Sequence, residues 1–536
     1  MMSPSLSHIT SSTPTLVVCA LLGSACGDSG GGSTTGGADT GTDTTAPAST
    51  STTSVSDTAP TTGTATQGAT TDLPTSTGTD SGVSATGTTA ATTGDTGDTT
   101  TGTGTTDTTT GTTTGDTTTG DTTTGEPDDL PTSCLAADFP VMAALCGANG
   151  PACQARRDEL VSPDPAFRND MPALALRGDC GPAVLYSEAV GGYFGFYSER
   201  SGGNTWSTES TPMTVATGSL EVDPVADEAI AVVDDGAFGV SLWRRSAGAW
   251  KQTSPLAGMN HARAAQLARD DEGTLHLAHI DSNQQAQIDR FDGAWSKSQI
   301  DKSADIRVRV ALDAAAAPRL TYWSAKEATW KLYFAAPPAL PEVVMPLQSN
   351  GLERAHTGLA LAGPDSTPWV WAARQQKGQF NHELVLLHRV GPAKWAEEVL
   401  IAEDALTDKT CDFEPAGPGQ QCAYDYLRYF PLALFAADAE VRAVYSAINY
   451  KGTLISQCQN RPFPNCVWVG QSDTSTAELR IAWPGSAPQD HQVIADDVFA
   501  YAASGRLDPG GYMHLAFYDQ APGDQDPLVR YMAIGP

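Results

Sequence analysis

The sequence has no lysine or arginine before Arg156, and its 536 residues include twice as many acidic residues (62) as basic ones (31). Without a basic patch the chain cannot make the phosphate contacts that dominate nucleic-acid binding, so we predict no nucleic-acid partner. The chain also lacks any Cys-x-x-Cys pair, which argues against a zinc site. Its N-terminal apolar run, 16–22, is too short to span a bilayer.

Aromatic and basic residues are absent from 27–131, which consists almost entirely of Thr, Gly, Ser, Asp and Ala. A segment of this composition cannot bury enough apolar surface to offset the conformational entropy lost on ordering. We therefore predict a disordered tether over 26–131. The tether precedes a folded part that holds all the Trp, Tyr and Phe residues.

The run 16–22 has the length of the apolar region of an export signal, which predicts a signal peptide over 1–25. The small residues before Cys26, with the Gly/Ser/Thr-rich segment behind it, resemble the lipobox of bacterial lipoproteins; Gly23 stands where that family usually has Leu. The resemblance implies that Cys26 is a lipid anchor in the outer membrane or at the cell surface. The alternative is cleavage after Ala25 and a secreted or periplasmic protein.

Eight further cysteines follow, an even number that indicates disulfides in an exported chain. They are Cys134, Cys146, Cys153, Cys180, Cys411, Cys422, Cys458 and Cys466. The late four separate into two local pairs, Cys411–Cys422 and Cys458–Cys466, and each pair would close a short loop worth about 2.5–3 kcal/mol. The pairing of the early four stays open.

An alternating apolar segment that ends in a small, polar or charged residue recurs seven times. The seven copies end at Ser187, Asp234, Asp281, Ser324, Arg374, Ser446 and Asp519. Most copies are 40 to 50 residues apart, a period typical of propellers and related arrays of strands. The last two steps are longer and indicate insertions before those copies.

Each repeat reads as four antiparallel strands, as in 264–300, where Asp292-Gly293 predicts a tight hairpin before the fourth strand. We therefore predict an all-β fold, a seven-bladed β-propeller over 173–536, with six or eight blades as alternatives. Gly203, Thr205 and Trp206 resemble the Asp-box turn of sialidase-like propellers. That turn is structural in its family, and we interpret the recurring tryptophans likewise as wedges between blades.

The last repeat is one strand short, and we predict that an upstream segment within 159–168 supplies the missing edge. Before it, 132–172 is interpreted as a small collar of short helices held by disulfides, with 154–157 in one of the helices.

Two long insertions, 407–427 and 450–491, interrupt the regular repeats. Long disulfide-bonded loops on a rigid scaffold are frequent sites of binding, and the alternative is that the disulfides only protect the loops from proteolysis. The aromatic residues predicted to bind a ligand are Phe413, Tyr424, Tyr426 and Trp468.

No catalytic residue and no cofactor is predicted. His276 and His279 are three residues apart on a strand, so they lie on opposite faces and cannot share a metal ion. The acidic turns 223–227 and 270–272 offer oxygen ligands for a structural calcium ion, but they lack the ligand density of a dedicated calcium loop.

These observations favour a non-enzymatic binding module of the cell envelope, a monomer that is anchored by lipid and binds an unknown protein or glycan. Two alternatives stay open. One is a carbohydrate-active enzyme (a sialidase-like glycosidase or a lyase) with carboxylates in the central funnel, and the other is a structural envelope protein without a small ligand.

Overall fold

The computed structural model describes residues 130–536 apart from gaps within and between its elements. The gaps are 136–141, 163, 165, 167–171, 189–193, 202–203, 235–239, 254–264, 282, 302–303, 305, 325–329, 347–356, 376–381, 403–417, 460–464 and 522–526. The predicted signal peptide, Cys26 and the tether lie outside the described residues. Within the described part, no helix is long and apolar enough to cross a membrane.

In the part of the chain that the structure describes, twenty-eight strands form seven four-stranded antiparallel sheets. Strand β1 is Gln154–Ser162. Blade 1 consists of β2 Ala173–Leu176, β3 Pro182–Ser187, β4 Phe194–Arg200 and β5 Trp206–Thr214. Blade 2 consists of β6 Thr217–Asp223, β7 Glu228–Asp234, β8 Val240–Ser246 and β9 Ala249–Gln252. Blade 3 consists of β10 Gln266–Arg269, β11 Leu275–Ile280, β12 Ala286–Phe291 and β13 Trp295–Asp301.

The remaining blades continue this order. Blade 4 consists of β14 Ile306–Leu312, β15 Pro318–Ser324, β16 Lys331–Ala335 and β17 Glu342–Pro346. Blade 5 consists of β18 Thr357–Ala362, β19 Thr367–Gln375, β20 His382–Gly391 and β21 Lys394–Ala402. Blade 6 consists of β22 Gln421–Ala437, β23 Glu440–Gln459, β24 Asn465–Ala482 and β25 Gln492–Asp496. Blade 7 contains β26 Ala500–Leu507, β27 Met513–Asp519 and β28 Leu528–Gly535. One described helix, a 3₁₀ turn at Pro488–Asp490, precedes β25.

The seven blades form one closed ring, because the first strands of neighbouring blades contact one another all the way round, from β2 and β6 to β26 and back to β2. The prediction of a seven-bladed propeller is confirmed. Six of the seven predicted segments end at, or within one residue of, the end of the second strand of a blade; Ser446 instead lies inside the long strand β23. We call the face with the turns between first and second strands the turn face, and the opposite face the loop face.

Strand β1 completes blade 7 by pairing antiparallel with β28, in a register that sets Glu159 opposite Tyr531. The upstream segment therefore closes the ring, but it begins earlier than predicted. The prediction of helix at Gln154–Arg157 is wrong, because these residues form the start of β1. One face of an outer strand is exposed to solvent, so the sequence of β1 shows only a weak apolar pattern. Residues 154–157 are extended because β1 pairs with the edge of β28, which would otherwise be unpaired. The propeller therefore includes 154–162, part of the predicted collar.

The cores lie between blades. Between blades 1 and 2, for example, Leu185 and Tyr197 pack in one cluster with Val222 and Val233. Tryptophans at the start of the fourth strands seal these interfaces from outside. Trp206 meets Tyr531 of blade 7 at 5.5 Å between ring centroids, Trp250 meets Tyr197 of blade 1 at 5.4 Å, and Trp395 meets Phe334 of blade 4 at 5.5 Å. The recurring tryptophans are therefore wedges between blades.

On the turn face, aspartates lock several first-to-second-strand turns. Asp270 Oδ1 accepts the backbone N–H groups of Glu272 and Thr274 at 3.1 and 2.7 Å, and Oδ2 lies 3.4 Å from His276 Nε2. Burial alone would raise the pKa of Asp270, but these donors bring it below its ordinary value. Equivalent aspartates pair six residues downstream in blades 4 and 7, as Asp313 with Arg319 and Asp508 with His514.

The collar also lies on the turn face. Disulfide Cys134–Cys180 ties it to a turn of blade 1, and the disulfide Cys146–Cys153 closes a second loop against blade 6. Arg442, only 2% exposed, donates to the carbonyls of this second loop, with Nε 2.6 Å from the oxygen of Cys146. The N-terminal chain therefore enters the folded part at the turn face.

Candidate functional site

Blade 6 differs from the others in the length of its strands. Its first three strands have 17, 20 and 18 residues, whereas strands elsewhere in the ring have between four and ten. The ladder between β22 and β23 runs from Ala437↔Glu440 at the turn face to Gln421↔Ile455, with one register shift between Pro431 and Ala433. β25 pairs only with 478–481 of β24. Beyond those rows, β22, β23 and β24 continue as a three-stranded ribbon that leaves the ring on the loop face. At about 3.4 Å per residue, the eight rows from Gln421 to Arg428, beyond the rows that include β25, extend roughly 24 Å.

An aromatic cluster marks the base of the ribbon, between blades 6 and 7. Phe430 of β22 meets Tyr501 of β26 edge to face, at 5.0 Å between centroids. The Tyr450 hydroxyl lies 3.2 Å from that of Tyr501, and Phe499 packs in the same group. Arg428 lies over the Phe430 ring at 5.9 Å. The cluster thus combines apolar ring surface, hydroxyl groups and one cation, as ligand sites commonly do.

Further along the ribbon, Lys451 and Asp425 form an ion pair across β22 and β23 at 3.2 Å. Both side chains are exposed, 63% and 46% respectively. An exposed pair of this kind contributes little to stability.

The structure places the predicted binding residues as follows. Phe413 and Cys411 lie outside the described residues. Tyr424 and Tyr426 are on β22, in register with Gly452 and Tyr450.

Trp468 is on β24 opposite Ser456, four rows beyond the row of Tyr424, which corresponds to about 13 Å along the ribbon. The ribbon therefore brings the two tyrosines to its lower half and Trp468 to its outer half. Cys422 and Cys458 are each disulfide-bonded, and Cys458 stands opposite Cys466 in the ladder. Phe430, Phe499 and Tyr501 could not be predicted from the sequence, because blades 6 and 7 come into contact only when the ring closes.

The central channel is lined by the first strands, whose side chains bind the backbone of a neighbouring blade. The bonds are Leu267 N–H to Ser219 Oγ at 2.9 Å, Val310 N–H to Gln266 Oε1 at 2.6 Å, Arg309 Nε to the Thr357 carbonyl at 3.2 Å and Leu174 N–H to Ser504 Oγ at 3.3 Å. These bonds satisfy inner-edge groups that no fifth strand covers. The same bonds join neighbouring blades along the channel and so stabilise the closed ring.

One carboxylate in the channel region is of chemical interest. Glu221 of β6 accepts a 2.7 Å hydrogen bond from Arg506 of blade 7, which reaches past blade 1 and also binds the Leu220 carbonyl. Burial raises the pKa of Glu221 above its ordinary value, against the opposing influence of Arg506 and Arg269. A carboxyl group with a raised pKa suits a general acid, although its ion pair also explains its position.

Two buried histidines of blade 3 contact buried carboxylates of the same blade. His276 and His279 are both buried, and each lies beside a carboxylate, Asp270 or Asp289, at 3.4 and 3.3 Å. Among the described residues, no group of three or more His, Cys, Asp or Glu is placed to hold a metal ion. In the acidic turns considered for calcium, carboxylates accept hydrogen bonds from backbone N–H groups of the same turn. Asp223, for example, accepts from the N–H groups of Val225 and Ala226.

No protein-family model and no curated protein sequence matches the chain. Solved structures with a similar arrangement include AofleA from Arthrobotrys oligospora, with 11% identity over 68% of this chain and 94% of that one and a TM-score of 0.35. The fucose-specific lectin from Aleuria aurantia shares 9% identity over 58% and 99% of the two chains, with a TM-score of 0.33. Xylan beta-1,4-xylosidase from Bacillus halodurans shares 12% identity over 70% and 100%, with a TM-score of 0.27. At these values nothing follows about a ligand of this chain.

Proposed function

We propose that the chain is an exported, non-enzymatic binding module whose binding face is the loop face, with the ribbon of blade 6 as its main binding element. The observation that carries the proposal is the extension of β22, β23 and β24 well beyond the ring. Ring stability does not require this extension, because the other blades close with strands of ten residues or fewer. Binding elements are commonly insertions that a rigid scaffold presents.

The ribbon and the N-terminal end of the folded part lie on opposite faces of the ring. The N-terminal chain enters at the turn face, where Cys134 is bonded to Cys180 and the backbone N–H of Cys134 donates to the Gly178 carbonyl at 2.8 Å. The ribbon leaves from the opposite face.

The ligand is proposed to be a glycan or a protein at the ribbon, with the base cluster and the Lys451–Asp425 pair in contact with it. Aromatic rings beside hydroxyl and charged groups suit both classes. The test is a glycan array and a hydrolysis screen on the same glycans, both with the mature chain. Binding without product formation supports the proposal for glycans, and specific capture of a defined envelope protein supports it for proteins.

A carbohydrate-active enzyme is the second candidate, and Glu221 is the observation that favours it. Glycoside hydrolysis uses a carboxylic acid with a raised pKa, and burial gives Glu221 that property. If the screen detects turnover that the Glu221→Gln variant has lost, the enzyme replaces the binding module as the explanation. Turnover that persists in this variant would also contradict the non-enzymatic proposal.

Lipid anchoring is proposed at Cys26. Replacing Cys26 by Ser should abolish incorporation of radiolabelled lipid and move the protein to the soluble fraction. The matched control is Cys19→Ser, which changes the other cysteine of the leader and should leave both measurements unaltered. Unchanged membrane fractionation of the Cys26→Ser protein would contradict the anchor.

A further inference from the structure

A second surface, on the turn face between blades 4 and 5, has the form of a small-molecule pocket. Its volume is about 330 Å³, at the lower end of the range for ligand sites. Arg319 and Phe334 of blade 4 line one side, and Thr367, Arg389 and Val390 of blade 5 line the other. The collar contacts blades 1 and 6 as described above, and it contacts blade 7 where the Ala143 N–H donates to the Pro509 carbonyl at 3.0 Å. These contacts do not include the pocket.

The pocket occurs where a repeated contact between blades departs from its pattern. At the interface of blades 7 and 1, Glu159 of the outer strand accepts hydrogen bonds from Arg200 at 3.1 Å and from the Trp206 indole at 3.0 Å. At the interface of blades 1 and 2, Glu209 likewise accepts from Arg245 at 2.7 Å and from Trp250 at 2.9 Å. In both copies, an arginine and an indole together bind one carboxylate.

The third copy of this contact, between blades 4 and 5, keeps the hydrogen bond from the arginine to the carboxylate but lacks the one from the indole. Glu342 of blade 4 accepts from Arg389 of blade 5 at 3.0 Å and from the backbone N–H of Ala393 at 3.1 Å. The Trp395 indole nitrogen is buried and makes no hydrogen bond within the described structure. Here the arginine lines an open pocket, and its side chain is 32% exposed, compared with 10% for Arg200 and 18% for Arg245.

The charges at the pocket are nearly balanced. Arg389 is paired with Glu342, and Arg319 is paired with Asp313, so neither guanidinium offers an unopposed positive charge to an anion. Asp365 lines the rim and is exposed. The lining therefore presents fixed N–H donors and a carboxylate acceptor without a strong field of either sign.

Hydroxyl and apolar groups complete the lining. Ser366 and Thr367 supply hydroxyls, and the Ser366 Oγ is itself fixed by the backbone N–H of Ala314 at 3.1 Å. Val390, 60% exposed, supplies apolar surface. A ligand that matches this surface has many hydroxyl groups, no net charge and an apolar face, which is the chemistry of a neutral sugar.

We propose that this pocket binds one neutral monosaccharide unit, with Arg389 and Asp365 as hydrogen-bonding groups and Val390 against the apolar face of the ring. The site is separate from the ribbon and lies on the opposite face. It would let the turn face hold a saccharide while the loop face engages its own partner.

Saturation-transfer difference NMR on the full mature chain tests the proposal with a panel of free sugars. The panel contains neutral pentoses, hexoses and deoxyhexoses, with one uronic acid and one amino sugar as charged members. We expect transfer to at least one neutral sugar and none to the charged members. The absence of transfer to every neutral sugar at millimolar concentration, or equal transfer to the charged ones, would overturn the proposal.

Variants locate the site. Arg389→Lys loses the planar fork of donors and should weaken binding at least tenfold, whereas Val390→Trp, at an exposed position that does not endanger folding, should abolish transfer. The matched control is Arg245→Lys, which makes the same change where the indole completes the contact, and it should alter binding less than twofold. Equal effects of the two lysine variants, or full binding by the tryptophan variant, would refute the location. Lys251→Glu, on blade 2 and outside both proposed sites, should leave the NMR signal unchanged, and a signal that is lost in Val390→Trp comes from the pocket whether or not the ribbon binds a partner.

Discussion

The turn face and the loop face of the ring are stabilised by different means. On the turn face, buried carboxylates fix short turns, and a disulfide-bonded collar covers blades 1, 6 and 7; Asp508 and His514 are both completely buried there. On the loop face, blade 6 extends into a ribbon whose Lys451–Asp425 pair is open to solvent. The two faces therefore differ in structure: one is fixed by buried carboxylates and disulfides, and the other carries a long extension of one blade.

The largest expected effect comes from removing the strand that closes the ring. A chain without 27–162 loses β1 and the collar, which exposes the edge of β28, and it should aggregate and show no cooperative unfolding. A chain without 27–129 loses only the tether and should melt within about one degree of the full chain, because no contact described in the structure is removed. Scanning calorimetry with size-exclusion chromatography makes the comparison. Cooperative melting of the shorter chain near the normal temperature would contradict closure by β1.

The next effect concerns a single turn-face carboxylate. Asp508 accepts the backbone N–H of Tyr512 at 2.9 Å and lies 3.0 Å from His514 Nε2, with all these groups buried. Asp508→Ala leaves both groups without their partner and should lower the free energy of unfolding by roughly 3 kcal/mol. Asp271→Ala, at an exposed turn position, should change it by less than about 0.5 kcal/mol. Urea unfolding measures the free energy of unfolding of both variants. Similar losses in the two would show that the buried aspartates of the turns do not stabilise this face.

These two predictions rest on features that the sequence reveals to different degrees. The second strands are readable because both of their faces are covered by neighbouring blades, so a short apolar run such as that ending at Ser187 is distinctive. Strand β1 is not readable in this way, since Asp158 and Leu160 point outward and leave only a weak alternation. The aspartates that fix the turns are recognisable in the sequence, because Asp270, Asp313 and Asp508 each stand six residues before a His or Arg.

A smaller effect should appear on acidification. His491 is buried with Nδ1 2.7 Å from the Tyr445 hydroxyl, and burial, reinforced by nearby Arg480, lowers its pKa below its ordinary value. Below about pH 6.5 the unfolded chain takes up a proton that the folded chain resists. The free energy of unfolding should therefore fall as the pH drops from 7.5 towards the lowered pKa.

Substituting His491 by Gln removes this titration. Urea unfolding at several pH values between 7.5 and 5.5 should give a shallower decline for His491→Gln than for the wild type, with a difference smaller than the loss at Asp508. Identical slopes for the two proteins would contradict the assignment of this pH dependence to His491.

The ribbon was only partly predictable. The sequence located the two insertions and their disulfide-forming cysteines, but strand assignment fails in 450–491 because a 20-residue strand far exceeds the usual five or six. The cluster at its base joins Phe430 to Tyr501, seventy-one positions apart, and only the closure of blade 7 against blade 6 brings them together. Likewise, the spacing of Arg389 and Trp395 recurs in the sequence, but the partner Glu342 belongs to another blade.

The most direct test of the account measures binding after charges are changed on the ribbon alone. The variant Arg428→Ala/Lys451→Glu alters its base and its exposed ion pair, and the control Arg244→Ala/Lys251→Glu makes the same changes on blade 2, where Arg244 also lies over a phenylalanine ring. Both variants should keep their melting temperatures within a few degrees. In the array and capture assays, the account predicts at least a tenfold loss of ligand binding for the ribbon variant and less than a twofold change for the control. Wild-type binding by the ribbon variant, or equal losses in the two, would contradict recognition at the loop face.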